Sequence, residues 1–295
     1  INENRFDKVF IFWDGQFSGR LRHEIYKEYK ANREKDFYNH REPKDPDLYI
    51  QKHRVSQYCE ELFIRQFQDE IIEADDSIGY YCSNIEDDEK VVIISNDRDM
   101  CQLIDDRVAI YVINLRKIIS KYNYCEHFNH HYTNVKLVKI LSGDASDNIK
   151  GIQGVKEKTL IKYFPEICKK TLTLKDIISK IEVLQNERKT RLKTLDNIKN
   201  KVTVGCQGED IFEINEKIIN LRKPLLTESA KEHLNNLFVS PIDPEDRTTK
   251  NVIKMMLEDG IIMAIPGGRD GYINFLKPFL RIIKKEKNFF NISKK

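Results

Sequence analysis

The sequence lacks the features of several large protein classes. No apolar run approaches the roughly 18 to 20 residues that a membrane span needs, and no stretch has the pattern of a secretion signal. Its six cysteines contain no CxxC pair, which excludes a tight disulfide framework and favours reduced thiols. No cysteine–histidine pair has the spacing of a zinc site. We therefore expect a soluble, cytoplasmic protein with no membrane partner.

A strong excess of charge of either sign is also absent, but the charge is unevenly distributed. The 295-residue chain has a formal charge of +3, with 33% charged residues. Many carboxylates are concentrated in four short segments, so the rest of the chain is distinctly basic. A basic body around an acidic centre suits a polyanionic substrate.

Each of the four acidic segments follows the end of an apolar run. Like charges a few ångströms apart raise one another's pKa unless a cation neutralises them, so acids that converge in the fold indicate bound metal. Ligation by oxygen alone favours Mg²⁺ or Mn²⁺. Any single acid would equally suit a helix cap or a solvated turn. The eight candidate metal ligands are Asp14, Glu73, Asp75, Asp76, Asp97, Asp99, Asp144 and Asp147.

Short β-branched runs alternate with helical patterns in the first half of the chain. This alternation predicts an α/β fold with a mostly parallel central sheet. Ligand sites of such sheets lie beyond the carboxyl ends of the strands, where Asp14 and Asp97 would come together. The predicted strands are residues 8–13, 91–95 and 108–113, and the predicted helices of this half are residues 56–67 and 77–83.

From residue 133 onward the strand patterns disappear and helical segments rich in Lys and Glu take over. We predict an α/β core over residues 1–130, a helix-hairpin-helix region over 131–205, and a helical C-terminal region over 206–295 that packs on the core. The predicted helices of this half are residues 156–164, 174–195, 211–221, 228–237 and 247–258.

The sharpest local pattern lies in residues 143–159. Gly151 and Gly154 flank two residues between a helix end and a new helix, which predicts a helix-hairpin-helix. Glycine lets the backbone approach a phosphate closely, and Lys156 and Lys158 stand at the start of the second helix. An ordinary helix-turn-helix connection would explain the glycines, but not the pair of acids just before them.

Five motifs stand in order along about residues 9–165. They are Asp14-Gly15, Tyr29-Lys30-Ala31-Asn32-Arg33, Glu73-Ala74-Asp75-Asp76, Ser95-Asn96-Asp97-Arg98-Asp99 and Gly143-Asp144-Ala145-Ser146-Asp147-Asn148. Together they resemble the flap endonuclease family, which includes bacteriophage 5′-nucleases and the 5′→3′ exonuclease domain of bacterial DNA polymerase I. The C-terminal third matches only loosely. The resemblance implies a PIN-like 5′-nuclease core.

The family resemblance assigns roles to the acids and to two cations. Asp14, Glu73 and Asp75 would lie nearest a first metal, the last four acids around a second, and Asp76 could serve either. It implies Mg²⁺, with Mn²⁺ as a substitute, and K⁺ at the hairpin loop as in some relatives. It further implies that Lys30 and Arg33 act as catalytic residues on the scissile phosphate.

The resemblance also predicts a nucleic-acid surface. Residues 34–54, rich in charge and aromatic side chains, would form a mobile helical arch around a displaced single strand, although an ordinary exposed loop has the same composition. A solvated basic helix face is likewise the alternative for the arginines before residue 30. The predicted nucleic-acid contacts are Arg20, Arg22, Tyr29, Lys35, Gly151, Gly154, Lys156 and Lys158.

The implied function is a metal-dependent 5′-nuclease that cuts DNA at 5′ flaps and single-strand/double-strand junctions during replication, with replication proteins as partners, in a bacterial cell or a phage-infected host. A ribonuclease-H-like primer remover acting on RNA–DNA hybrids and a noncatalytic junction-binding protein are the alternatives. Relatives carry a further aspartate at the end of a first strand before the position of Asp14. The sequence starts at Ile1, too late to contain it, so we expect either a missing N-terminal strand or an incomplete site.

Overall fold

A computed structural model describes residues 6–33, 36–39, 45–187, 192–203, 210–245 and 247–293. The strands are β1 (Phe10–Trp13), β2 (Arg65–Gln68), β3 (Val91–Ile94), β4 (Val108–Val112), β5 (Lys117–Ile119), β6 (Gly143–Asp144) and β7 (Ile149–Lys150). The helices are α1 (Arg20–Ile25), α2 (Pro46–Glu61), α3 (Ala74–Ser83), α4 (Val135–Ser142), α5 (Glu157–Tyr163), α6 (Leu174–Asn186), α7 (Lys193–Lys199), α8 (Ile211–Ile219), α9 (Glu228–Val239), α10 (Thr249–Glu258) and α11 (Gly268–Ser293). In the described part of the chain, no helix is both long and apolar enough to cross a lipid bilayer.

The chain divides into two compact units. Unit 1 consists of Ile1–Gly15, Asn39–Glu70 and Thr227–Lys295, and unit 2 of Gln16–Tyr38 and Ile71–Leu226. The α/β class predicted from the sequence is confirmed, because both units combine strands with helices. The predicted division into residues 1–130, 131–205 and 206–295 stays a prediction.

Unit 1 is built on the parallel pair β1 and β2, in which Phe10 lies opposite Arg65. Helices α2, α9, α10 and α11 belong to the same unit. Its core includes Leu62 and Ile64 beside β2, together with Val252 and Met256 of α10. The apolar stripe of α10 therefore covers the residues that lead into β2.

Unit 2 holds a three-stranded sheet and most of the helices. Strand β4 pairs in parallel with β3 and antiparallel with β5, and the sheet shares a core with the buried 3₁₀ turn Arg98–Leu103. A second core joins α4, α5, α6, α7 and α8. Helix α4 connects the two cores, since Val135 packs in the first and Leu141 in the second.

Three details of the sequence-based prediction are wrong. The helix expected over residues 56–67 is instead α2, which begins at Pro46 under an N-cap from Asp45, whose side chain accepts the Leu48 N–H at 3.1 Å. The chain then turns at Phe63 (φ 59°) into β2, which was not predicted because three of its four residues are polar. Two-residue strands, β6 and β7, also follow residue 133, where no strand was expected.

The remaining predicted elements are confirmed within a few residues at their ends, apart from one helix. Strands β1, β3 and β4 match the three apolar runs. The helix expected over residues 174–195 is two helices, α6 and α7.

Candidate active site

A buried arginine holds two of the predicted acids together in unit 2. Arg22 of α1 is 5% exposed, and its guanidinium donates to Glu73 Oε2 at 2.5 Å and to both carboxylate oxygens of Asp76. Its Nε donates to the Ile218 carbonyl at 2.8 Å. Asp76 also accepts the Leu225 N–H at 2.9 Å. This position makes Arg22 a counter-ion of the acids, whereas the sequence analysis had placed it at the DNA surface.

The pKa values of the two acids shift in opposite directions. Burial raises the pKa of Glu73, but Arg22 and Lys30 together outweigh it and lower that pKa to about 2. Burial also raises the pKa of Asp76, and there the attraction of Arg22 does not compensate, so the pKa stays above its ordinary value. Glu73 is therefore firmly ionised at neutral pH, as a cation ligand must be.

The second and fifth sequence motifs are joined by hydrogen bonds. The Lys30 N–H donates to the Asp147 carbonyl at 2.8 Å, and Arg33 Nη2 donates to Asp147 Oδ1 at 2.6 Å. In the other direction, Asn148 Nδ2 donates to the Glu28 carbonyl at 2.7 Å. Motifs more than a hundred residues apart thus become one surface beside the acids.

Lys30 and Tyr29 of that surface both face Glu73. The Lys30 ammonium contacts Glu73 Oε1, and the Tyr29 hydroxyl donates to the same carboxylate at 3.0 Å. Lys30 sits at φ 54°, in the left-handed region, which places consecutive residues 29 and 30 on the same acid. Tyr29 is only 2% exposed and its pKa is raised, chiefly by burial. Its sequence-based assignment as a DNA contact is not supported by that burial.

Lys139 bridges two further acids. Its ammonium contacts Asp99 and lies 2.8 Å from Asp144 Oδ2. Burial lowers the pKa of Lys139, but the two carboxylates raise it more, so the side chain stays charged. Burial raises the pKa of Asp99 in spite of Lys139, whereas at Asp144 the hydrogen bond from Lys139 overcomes burial and lowers the pKa to about 2.

Asp97 differs from its neighbours because it is exposed. It follows β3 and caps the 3₁₀ turn, where its Oδ1 accepts the Asp99 N–H at 2.8 Å. Its own N–H donates to Ser95 Oγ at 2.9 Å. The backbone therefore fixes this carboxylate on the wall of a cavity.

Two cavities are lined by these acids and share Asp99 and Lys139. A small one of about 20 Å³, enough for about one water-sized particle, is lined by Glu73, Asp75, Asp99 and Asp147 together with Arg22 and Lys139. A larger one of about 500 Å³ is lined by Asp97, Asp99, Asp144 and Lys139, and by residues of the segment 124–130. Carboxylates from three separate motifs therefore converge within unit 2.

Asp14 belongs to unit 1. It is exposed directly after β1, and its carbonyl accepts hydrogen bonds from Lys52 Nζ at 3.2 Å and Gln68 Nε2 at 3.3 Å. The next residue, Gly15, lies against the backbone of Asp69 and Glu70 so closely that a Cβ would come within 1.9 Å of a carbonyl oxygen. This contact fixes the direction in which the chain leaves β1.

The predicted hairpin has a specific role for each glycine. Gly151 packs against Ser142 and Gly143, where a Cβ would meet backbone atoms at 2.2 Å. Gly154 has φ 79° and is exposed, and a Cβ there would reach only an ordinary contact with the Thr194 side chain at 3.7 Å. Lys156 and Lys158 are exposed at the start of α5. Gly151 thus serves backbone packing, while the surface from 154 to 158 is accessible.

Two predicted contacts remain. Arg20 at the start of α1 pairs with Glu24 at 3.1 Å and lies over the Tyr38 ring, 5.0 Å from its centroid. Lys35 lies outside the described residues, as do Glu34 and residues 40–44 of the predicted arch. In the rest of that segment Asp45 is the N-cap of α2 and residues 46–54 are its first part.

In the described part of the chain, no three Asp, Glu, His or Cys side chains are grouped so that they could hold a metal ion as they stand. Arg22, Lys30 and Lys139 instead each contact these carboxylates. The donor set still suits a hard divalent cation in kind, since oxygen ligands surround a cavity of the right size. Exchange of an ammonium for a metal ion would be needed.

Sequence reasoning missed Lys139. The signal was available: helix α4 buries five apolar side chains, and Lys139 stands among them five residues before Asp144. A lysine on a mostly apolar helix that ends in acidic residues predicts an internal ion pair.

The chain is similar to known nucleases. Residues 1–132 match the family described as 5′-3′ exonuclease, N-terminal resolvase-like domain. The 5′-3′ exonuclease of Buchnera aphidicola subsp. Schizaphis graminum is 30% identical over 187 residues, or 63% of this chain and 61% of that protein. The chain therefore spans less than two thirds of that relative's length.

Solved structures show the same fold. A mutant T5 5′-exonuclease superposes with a TM-score of 0.56 at 18% identity, over 78% of this chain and 84% of that one. A bacteriophage T5 flap endonuclease, in a pseudo-enzyme-product complex with DNA and metal ions, gives a TM-score of 0.53 at 20% identity, over 84% of each chain. At such identities the likeness concerns the fold alone.

Proposed function

We propose that this chain is a metal-dependent, structure-specific 5′-nuclease that hydrolyses phosphodiesters at 5′ flaps and single-strand/double-strand junctions, and its similarity to 5′-3′ exonucleases supports the proposal. The observation that carries the proposal is the convergence of Glu73, Asp75, Asp99 and Asp147 on one small cavity. Such acids have no use in a purely structural core, where an excess of buried carboxylates is unfavourable.

The acids would hold divalent cations, with Mg²⁺ as the physiological ion and Mn²⁺ as a substitute. Hard carboxylate oxygens without nitrogen or sulfur ligands favour these ions. Bound there, two cations would supply an activated water and charge neutralisation for the leaving oxygen. In unit 2 the ligands would be Glu73, Asp75, Asp76, Asp97, Asp99, Asp144 and Asp147. The metal-binding role of Asp14 stays a prediction.

Lys30 and Arg33 would contact the scissile phosphate. Both belong to a turn that is fixed against the Asp147 loop by hydrogen bonds, so their cationic groups are held beside the acids. A fixed guanidinium or ammonium stabilises negative charge that develops on phosphoryl oxygens. Arg33 is 49% exposed in its side chain and is accessible to such a ligand.

Duplex DNA would be held by the hairpin before α5. Lys156 and Lys158 are exposed, and cations of this kind contact phosphates without reading bases. K⁺ at this loop stays a prediction. The DNA complex of the T5 flap endonuclease supports DNA as the substrate class, and an RNA–DNA hybrid is the alternative substrate.

The test is cleavage of an end-labelled 5′-flap duplex in Mg²⁺, with EDTA as the control and products mapped at nucleotide resolution. We expect cutting at the junction that EDTA abolishes. A matched flap with an RNA 5′ end separates the nuclease from a ribonuclease-H-like primer remover, which would cut only the RNA strand. Tight flap binding without cutting in Mg²⁺ or Mn²⁺ would contradict the proposal and favour a binding-only protein.

A further inference from the structure

Helix α4 carries two lysines in very different surroundings. Lys136 points to the surface, with 38% of its side chain exposed, and pairs at 2.7 Å with Glu216, which is 40% exposed. Lys139, one turn later, has 14% of its side chain exposed and faces Asp99 and Asp144. The same helix therefore offers an ordinary surface ion pair and a buried one for direct comparison.

The buried group is not electrically balanced. One ammonium contacts two carboxylates, so the trio of Lys139, Asp99 and Asp144 retains net negative charge while it is largely shielded from water. The exposed Asp97 adds a further negative charge nearby. Such an arrangement attracts a second cation, and a divalent ion neutralises two carboxylates better than one ammonium can.

Lys139 also stands between two spaces. Together with Asp99 it lines both the small cavity of about 20 Å³ and the large cavity of about 500 Å³. An ammonium that leaves the carboxylates therefore has polar, open space to enter without unfolding α4. The large cavity also holds Asn129 and Ser142, which are polar groups that can solvate it.

From these observations we infer that Lys139 is an internal counter-ion, which occupies Asp99 and Asp144 in the metal-free protein and is displaced into the large cavity when a divalent cation binds those carboxylates. The inference rests on the proposed function, because it describes how the same acids exchange one cation for another. It makes Lys139 a positioning residue that keeps the acids together without metal and weakens metal binding by competition.

The first experiment is titration of the complete chain with Mn²⁺, without DNA, by calorimetry. Lys139→Met removes the competing charge. It should bind Mn²⁺ roughly tenfold more tightly than the wild type, which corresponds to about 1.4 kcal/mol of binding free energy. Lys139→Arg keeps the charge and should stay close to the wild type. The matched control Lys136→Met should leave Mn²⁺ affinity unchanged. Equal or weaker binding by Lys139→Met would overturn the inference.

A second measurement needs no variant and so survives any loss of folding in Lys139→Met. Acetic anhydride labels exposed lysine amines, and mass spectrometry reports the rate at each residue. We expect Mn²⁺ to speed labelling of Lys139 several-fold, because the released ammonium becomes accessible, while Lys136 serves as the internal reference. Unchanged protection of Lys139 at saturating Mn²⁺ would show that the ion pair persists and would refute displacement.

Failure of this inference is distinguishable from failure of the proposed function. The nuclease proposal fails if the wild type does not cut flaps in Mg²⁺ or Mn²⁺. The counter-ion inference fails if Lys139→Met binds Mn²⁺ no more tightly than the wild type, or if Mn²⁺ leaves the labelling rate of Lys139 unchanged, whatever the cleavage assay reports.

Discussion

The two units each bury an arginine against carboxylate, but with different charge balance. In unit 1 Arg65 forms a two-pronged ion pair with Glu286, at 2.7 and 3.2 Å, and its remaining N–H groups reach the carbonyls of Leu237 and Ser240. Both side chains are at most 5% exposed. Each charge there has its partner, so the network is complete without any ligand.

The arginine of unit 2 is surrounded by more acid than it can neutralise. Arg22 serves both Glu73 and Asp76, and the small cavity beside it is lined by further carboxylates. Burial raises the pKa of Glu73, Asp76 and Asp99 alike, and among these three the nearby cations outweigh burial only at Glu73. The comparison teaches that a buried cation whose charge is matched by one carboxylate stabilises the fold. A buried cation among an excess of carboxylates indicates a candidate cation-binding site.

The largest expected effect is the loss of cleavage when one carboxylate charge of unit 2 is removed. Asp97→Asn keeps an oxygen that can accept the Asp99 N–H, so the turn should stay folded while the carboxylate charge disappears. We expect flap cleavage to fall by orders of magnitude with flap binding largely intact. Asp106→Asn, at an exposed acid that pairs with Lys121, is the control. Undiminished turnover of Asp97→Asn would refute its role.

The positions of the acids in unit 2 could be predicted from the sequence, because these residues stand at strand ends and helix starts. Glu73 and Asp76 mark the start of α3, and Asp97 directly follows β3. Strand ends and helix starts are legible from apolar runs and periodicity. The positions of these acids therefore followed from local pattern alone.

The acids with which the counter-ions pair could not be foretold in the same way, although the apolar surroundings of Lys139 on α4 indicate an internal ion pair. Arg22 reaches Asp76 across 54 positions of sequence, and Lys139 reaches Asp99 across 40. Such pairing is decided by tertiary packing rather than by spacing along the chain. Strand β2 was missed for a related reason, since Arg65 looks like a surface residue until Glu286 is seen beside it.

In unit 1, breaking the balanced pair should affect stability. Glu286→Ala leaves the Arg65 guanidinium buried without its carboxylate, which should lower the free energy of unfolding by about 3–5 kcal/mol. Urea denaturation followed by circular dichroism measures the loss. Glu258→Ala, at an exposed partner of Arg54, should hardly move the midpoint. A midpoint shift in Glu286→Ala no larger than in this control would mean that the pair is dispensable.

In unit 2, acid should weaken the site through Glu73. Its pKa lies at about 2 in the folded protein against an ordinary 4.5, so its contribution is present above pH 4.5 and is lost as the pH falls toward 2. The size is on the order of 3 kcal/mol. Asp76 and Asp99, with raised pKa values, act in the opposite sense. Glu73→Gln should therefore show a flatter stability profile than the wild type between pH 4.5 and 2, measured in EDTA. Parallel profiles would contradict the assignment.

The smallest expected effect concerns two exposed lysines that take part in no ion pair within the described residues. Lys156 and Lys158 are exposed at the start of α5, and no carboxylate partner for either is found among the described residues. They are thus available to phosphates, unlike the buried lysines of the acid cluster.

Lys156→Ala with Lys158→Ala should weaken duplex binding and reduce the slope of log affinity against log salt by about one to two units. Lys199→Ala with Lys217→Ala removes two exposed lysines that already pair with glutamates, at 2.9 and 2.8 Å, and should change the slope less. Equal slopes for the two double variants would mean that the hairpin lysines do not bind phosphate.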